Sequence, residues 1–345
     1  MLVNTRSPQV SSSGGVITLE SASYVTIDGF TVKLANYGSA WSNIRTVGTD
    51  TAPARGVVIR NNTVDNASWW GILTGFSAGV VIENNTVTNT VIQHGIYVGY
   101  GADNPVVRNN VVRNSRYSGI QLNADRTGGG DGIITGAVVE GNTLIGNAVA
   151  GGATINLDGV SRSTFRNNVI YGGRNGIALF QQDGADGCKD NLIVGNTIVF
   201  DPGAGYYAVS IISGSGASSG NRLYNNILWR QGAGIRGSVI IDDAALVGFR
   251  SDYNVVSGQF NLDPVNESEP VSFAQWQSIT GQDRNSVVVA EPTQLFVNMA
   301  AQDFRLRAGS AAANAGVNMA ELPADILGAL RPAGGRTDIG AYESF

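Results

Sequence analysis

The chain contains one histidine, His94, and histidine is the side chain most readily tuned for proton transfer near neutral pH. It opens the run HGIYVG, in which Tyr97 offers either a second proton-transfer group or a flat face for stacking. The related runs GIQLN, INLD and GIALF supply Gln121, Asn123, Asn156, Asp158 and Phe180. Two polar segments follow closely. ADRTGGGDGIITG carries Asp125, Arg126 and Asp131, and QQDGADGCKD carries Gln182, Asp183, Asp186, Lys189 and Asp190.

Three chemistries can be assembled from these residues. In a β-elimination, His94 or Tyr97 is the base or acid and Arg126 neutralises a sugar carboxylate, with Asn123, Asp158 and Asp183 as hard-oxygen ligands for a Ca²⁺ cofactor. In a glycoside hydrolysis, two carboxyl groups such as Asp158 and Asp183 flank the bond at about 5 to 9.5 Å. A glycan-binding face needs no proton chemistry. Tyr97 and Phe180 would be its platforms, and Gln121, Asn123, Asn156 and Gln182 its hydrogen-bonding partners. Each has a plainer alternative: His94 and Tyr97 as packed or surface residues, and the two polar segments as solvated loops.

These residues converge only if the chain repeats. Aligned on its asparagine-rich turns, it reads RNNTV, ENNTV, RNNVV, EGNTL, RNNVI, VGNTI, YNNIL and DYNVV. The second asparagine falls at Asn62, Asn85, Asn110, Asn142, Asn168, Asn196, Asn226 and Asn254, so neighbours are 23, 25, 32, 26, 28, 30 and 28 residues apart. Such periods mark a solenoid. VTIDGFTV is an earlier coil, with Gly29 at the turn. Each repeat has one strand signature beside the turn and another shortly after it, with apolar residues alternating along both. The expected fold is all-β: a right-handed parallel β-helix whose asparagines form an internal hydrogen-bonded ladder at one corner. These asparagines are therefore structural even where they spell a glycosylation sequon.

In register, the later strands place Leu73, Tyr97, Gln121, Asn156, Ala178, Ser210 and Ile240 in one outward column. Gly75, Gly99, Asn123, Asp158, Phe180, Ile212 and Asp242 make a second. Polar members gather in the middle coils, where an extended polysaccharide would meet them. The 32-residue spacing places the insertion carrying Arg126 beside that patch. Past Asn254 the rhythm stops. Ser272 followed by Phe273, Trp276 and Ile279 predicts a short N-capped helix, and the Gly- and Pro-punctuated remainder predicts an irregular wrap. The division is thus 1–260 for the β-helix and 261–345 for a C-terminal cap over the last coil.

Composition agrees with short strands and tight turns: 43% hydrophobic, 14% charged and 46 glycines. A net charge of -5 gives no long-range attraction to nucleic acid or to an anionic membrane surface. No apolar run is long enough to cross a bilayer, so no membrane insertion is expected. Cys188 is the single cysteine, which rules out an intramolecular disulfide and reads as structural. The strand pattern starts abruptly at Gly15, which suggests that an export signal and a first coil precede the sequence. A monomer is expected.

The Asn-turn repeats, HGIYVG and the ending DFRLRAGSAAANAG with DIGAYE resemble secreted bacterial right-handed parallel β-helix repeat proteins of the pectate lyase-like and alginate lyase-like superfamily. The resemblance covers nearly the whole chain and is specific for fold. It implies an extracellular or cell-surface carbohydrate-active protein, foremost a polysaccharide lyase acting on an acidic, uronate-containing polysaccharide. A glycoside hydrolase of the same fold and a noncatalytic glycan-binding or surface-structural β-helix are the alternatives. No DPH tripeptide like that of mannuronan epimerases is present.

Overall fold

The computed structural model describes residues 14–34, 40–201, 203–230, 236–265 and 270–344. The first thirteen residues, on which the reading of the N-terminus bears, lie outside this set. The described chain winds into a parallel β-solenoid with three long sheets of eleven, nine and ten strands. Successive coils contribute one strand to each sheet, and the coil-to-coil pairs are parallel. Among the described residues, no helix is long and apolar enough to cross a membrane.

Alternation sets the core. In the second sheet Ile59, Ile82, Val107, Val139, Phe165, Ile193 and Leu223 stack inward and are fully buried. Val64, Val87, Val112, Leu144, Ile170, Ile198 and Leu228 do the same in the third. Each such side chain contributes about 1.5–3 kcal/mol relative to exposure. A coil alone cannot bury this face, so stability comes from stacking neighbours.

The corner between these two sheets holds the ladder. Asn142 donates from Nδ2 to Asn168 Oδ1 at 2.9 Å and to the Val107 carbonyl at 2.9 Å, and its Oδ1 accepts the Asn110 amide groups at 2.9 and 3.0 Å. The pattern runs unbroken from Asn62 to Asn254, with every amide buried. Phe30 closes it at one end by donating its N–H to Asn62 Oδ1. At the other end, Asp283 accepts from Asn254 Nδ2, Ser251, Ser286 and the Trp276 indole. The left-handed turn belongs to the preceding residue, with φ of 56° at Asn61, 65° at Gly141 and 56° at Tyr253. The paired asparagines therefore divide two tasks: the first bends the chain and the second ties coil to coil.

A helix at Phe273–Thr280 covers the last coil, N-capped by Ser272 with a reciprocal bond from Gln275. Trp276 is fully buried and stacks on Phe260 at 4.5 Å, whereas Ile279 is exposed. The rhythm does not stop at Asn254. Gln259–Asn261 adds a strand to the first sheet, and Val287–Val288 pairs with Val255–Val256 to extend the third sheet across the boundary drawn at 260. These strands lack the asparagine signature because Asp283 and Ser286 take over its hydrogen bonds. The remaining tail wraps the outside of the solenoid. Ile339 and Ala341 pack with Val169, Val199, Ile227 and Trp229, and Arg331 and Glu343 form a buried ion pair at 3.1 Å.

Candidate functional site

The first sheet carries the site. Its register aligns Arg45, Leu73, Tyr97, Gln121, Asn156, Ala178, Ser210 and Ile240 in one column, and Gly75, Gly99, Asn123, Asp158 and Phe180 in the next. The expected register is thus present, although Tyr97, Gln121, Asn123, Asp158 and Ile240 are buried within it. Arg45 extends the first toward the N-terminus, and Ile212 and Asp242 fall just beyond the paired strands.

Tyr97 lies back along its own strand, because a Cβ at Gly99 would come within 2.5 Å of the Tyr97 ring. That posture brings its Oη within 3.0 Å of Asn123 Nδ2, and the same nitrogen donates to Asp183 Oδ2 at 3.1 Å. One amide nitrogen therefore holds the phenol and the carboxylate within about 6 Å of each other. Burial pushes the Tyr97 phenol well above its ordinary range, and the charges of Asp125 and Asp183 push the same way. At neutral pH it is a proton donor. Gln121 turns its carbonyl toward Ser118 and Asn156, accepting at 3.3 and 2.7 Å, so its own NH₂ faces away from both.

His94 stands at the start of its strand, partly buried between Tyr97 and Tyr117, with ring centroids 5.7 and 6.2 Å away. Its Nδ1 accepts the Ser118 backbone N–H at 3.1 Å, which leaves the proton on Nε2. Burial lowers its pKa to about 4. His94 is hence a neutral hydrogen-bond donor at physiological pH.

Asp158 was expected to point outward as a catalytic or metal-binding carboxylate, and the structure gives it another task. It is 1% exposed, and its two oxygens accept the backbone N–H groups of Gln182, Asp183 and Gly184 at 2.9, 2.7 and 3.1 Å. It shapes the turn that presents Asp183. Asn123, Asp158 and Asp183 accordingly do not fit a Ca²⁺ cage of six to eight oxygens, since Asn123 turns its NH₂ toward Asp183 and Asp158 faces amide protons. Among the described residues no cluster of three acidic, His or Cys ligands occurs. Arg126 and Gln182 are exposed loop residues. The Arg126 backbone N–H donates to the Asp183 carbonyl at 3.2 Å, so the insertion is tied to the same turn. Phe180 is partly buried beside Asp158.

Sequence reasoning missed the rim along the N-terminal ends of these strands. Trp41, Trp69 and Trp70 cluster with centroids 5.8 to 6.1 Å apart, and Trp70 continues to Tyr97 at 5.8 Å. Beyond His94 and Tyr117 the rim turns cationic. Two guanidiniums lie over the Tyr206 ring, Arg174 at 4.3 Å and Arg236 at 3.1 Å from its centre. The paired tryptophans at 69 and 70 were the available signal; Arg174, Tyr206 and Arg236 sit in connecting turns of unequal length and left none.

Three stacked parallel sheets, one of them carrying a polar and aromatic column, define a parallel β-helix. The chain belongs to the family described as the right handed beta helix region, whose model matches residues 7–154 and 47–243. No curated protein sequence is significantly similar to it. Solved structures of similar form include an alginate lyase from Paenibacillus sp. str. FPU-7, 19% identical with a TM-score of 0.49, over 67% of this chain and 76% of that one. The complex of XylC with xylose is 12% identical with a TM-score of 0.52, over 96% of this chain and 66% of that one. Pectate lyase Pel9A is 14% identical with a TM-score of 0.43, over 95% of this chain and 88% of that one. At these identities the likeness is one of fold.

Proposed function

We propose that the chain is an exported polysaccharide lyase that cleaves an acidic, uronate-containing glycan by β-elimination on the first sheet. The observation that carries this reading is the Tyr97–Asn123–Asp183 arrangement, a protonated phenol and a carboxylate held by one amide nitrogen on the first sheet. Asp183 takes the proton from the carbon next to the uronate carboxylate. The electron pair left behind forms the new C=C bond as the glycosidic C–O bond breaks, and Tyr97 gives its proton to the departing oxygen. Solvent then returns one proton to Tyr97 and removes one from Asp183. The uronate carboxylate is met by neutral donors, the Nε2–H of His94 and the NH₂ of Gln121, which stabilise charge developing on it.

A second reading, glycoside hydrolysis, rests on one contact: the Arg126 N–H bonds the Asp183 carbonyl at 3.2 Å, so Asp125 and Asp183 come from adjoining turns. Incubation with a panel of uronate and neutral polysaccharides separates the readings. Ultraviolet absorbance of an unsaturated uronate supports the lyase, new reducing ends without it support the hydrolase, and neither product overturns both.

A further inference from the structure

The cationic end of the rim has no part in the elimination just described. It borders a cavity of about 340 Å³ lined by Gly152, Arg174, Asn175, Tyr206, Tyr207 and Ser210, with Ile212 and Ile240 behind them. Ser210 is the fourth residue after Tyr97 in the first outward column, by way of Gln121, Asn156 and Ala178. Four inter-strand steps of about 4.8 Å place this cavity roughly 19 Å along the axis from the reacting phenol. The two sites share one face. A Cβ at Gly151 would touch both the Tyr117 ring at 3.4 Å and Arg174 Nη1 at 4.0 Å, and Tyr117 neighbours His94, so the rim runs continuously between them.

The charge at this end is unusual for a chain of net charge -5. Arg174 and Arg236 both lie over the Tyr206 ring, and a third guanidinium, Arg230, donates to the Arg236 carbonyl at 3.0 Å. Arg174 is exposed and forms no ion pair with a carboxylate among the described residues. Contact with the Tyr206 ring holds its guanidinium at the cavity. A planar guanidinium held in this way matches a carboxylate bidentately.

We infer that Arg174, in contact with Tyr206 and backed by Arg236, forms a distal subsite that grips a carboxylate of an acidic polysaccharide several sugar units away from Tyr97. The subsite rests on the proposed reading for its substrate class, but it binds without requiring cleavage. Long polyuronates span it and short oligosaccharides bound at Tyr97 do not. The enzyme therefore gains affinity with chain length and with charge.

Binding of a long polyuronate, its carboxyl-reduced neutral counterpart and a polyuronate-derived disaccharide is measured by titration calorimetry for the wild type, Arg174→Gln and Arg174→Lys. Arg174→Gln is expected to weaken the long polyuronate about tenfold, with Arg174→Lys intermediate, and to leave the neutral polymer, the disaccharide and the melting temperature unchanged. Where cleavage is seen, KM for the polymer rises and kcat stays. Equal affinity of wild type and Arg174→Gln for the polyuronate, or no binding of any polyuronate by the wild type, overturns the subsite. A wild type that binds the polyuronate with this Arg174 dependence and never cleaves it overturns the lyase and leaves the subsite standing.

Discussion

Tyr97 and Asp183 meet through a single side-chain amide, that of Asn123, although they come from coils that are not adjacent. The strand carrying Asn156 and Asp158 lies between the Asn123 strand and the coil that ends in the Asp183 turn. Asp183 reaches back over that coil because Asp158 gathers the backbone of residues 182–184 beneath it.

Removing either end of this relationship should abolish turnover without unfolding the protein. Tyr97→Phe and Asp183→Asn are each expected to lower kcat by about 10²- to 10⁴-fold, the usual worth of a positioned proton-transfer group. Thermal midpoints should stay within a degree or two of wild type, since Tyr97 Oη has one protein partner. Full activity in Tyr97→Phe would remove the phenol from the mechanism.

Asp158→Asn is expected to behave differently. An amide cannot accept three backbone N–H groups as the carboxylate does, so denaturant unfolding should show a loss of about 2–4 kcal/mol along with activity. An inactive Asp158→Asn of undiminished stability would return Asp158 to the chemistry.

His94 should make the fold acid-sensitive. Its pKa is 6.5 when free and about 4 in the fold, so between these values the unfolded chain binds more protons. Stability is fully present above the free value and falls as pH drops from about 6.5 toward 4. Comparing urea midpoints of wild type and His94→Phe across this interval should show a smaller slope in the variant; identical slopes would mean that His94 is not held neutral.

Much of this was legible in the sequence, and what was not has a physical cause. The columns of Tyr97, Gln121 and Asn156 could be read because strand alternation and the asparagine period together fix register. The duty of Asp158 could not, since it depends on where the turn at 182–184 folds back. Nor could Ser210 be recognised as lining a cavity, for Arg174 and Tyr206 arrive from turns outside the repeat.

The ladder invites a direct test. Asn142→Ala strands the Asn110 amide groups, the Val107 carbonyl and Asn168 Oδ1 in a buried corner. A loss of about 2–4 kcal/mol in denaturant unfolding is expected; a change below about 0.5 kcal/mol would show the ladder to be ornamental to stability.

Because the coils are fastened to one another at that corner, the length of an outer turn is uncoupled from alignment. The coil between Asn110 and Asn142 is nine residues longer than the one between Asn62 and Asn85, yet both join the ladder with the same geometry. New loops could be grafted at Thr127–Asp131 without shifting Tyr97 relative to Asn156. The molecule is in this sense a fixed chassis with an interchangeable wall, and altered glycan preference should be sought first in that turn.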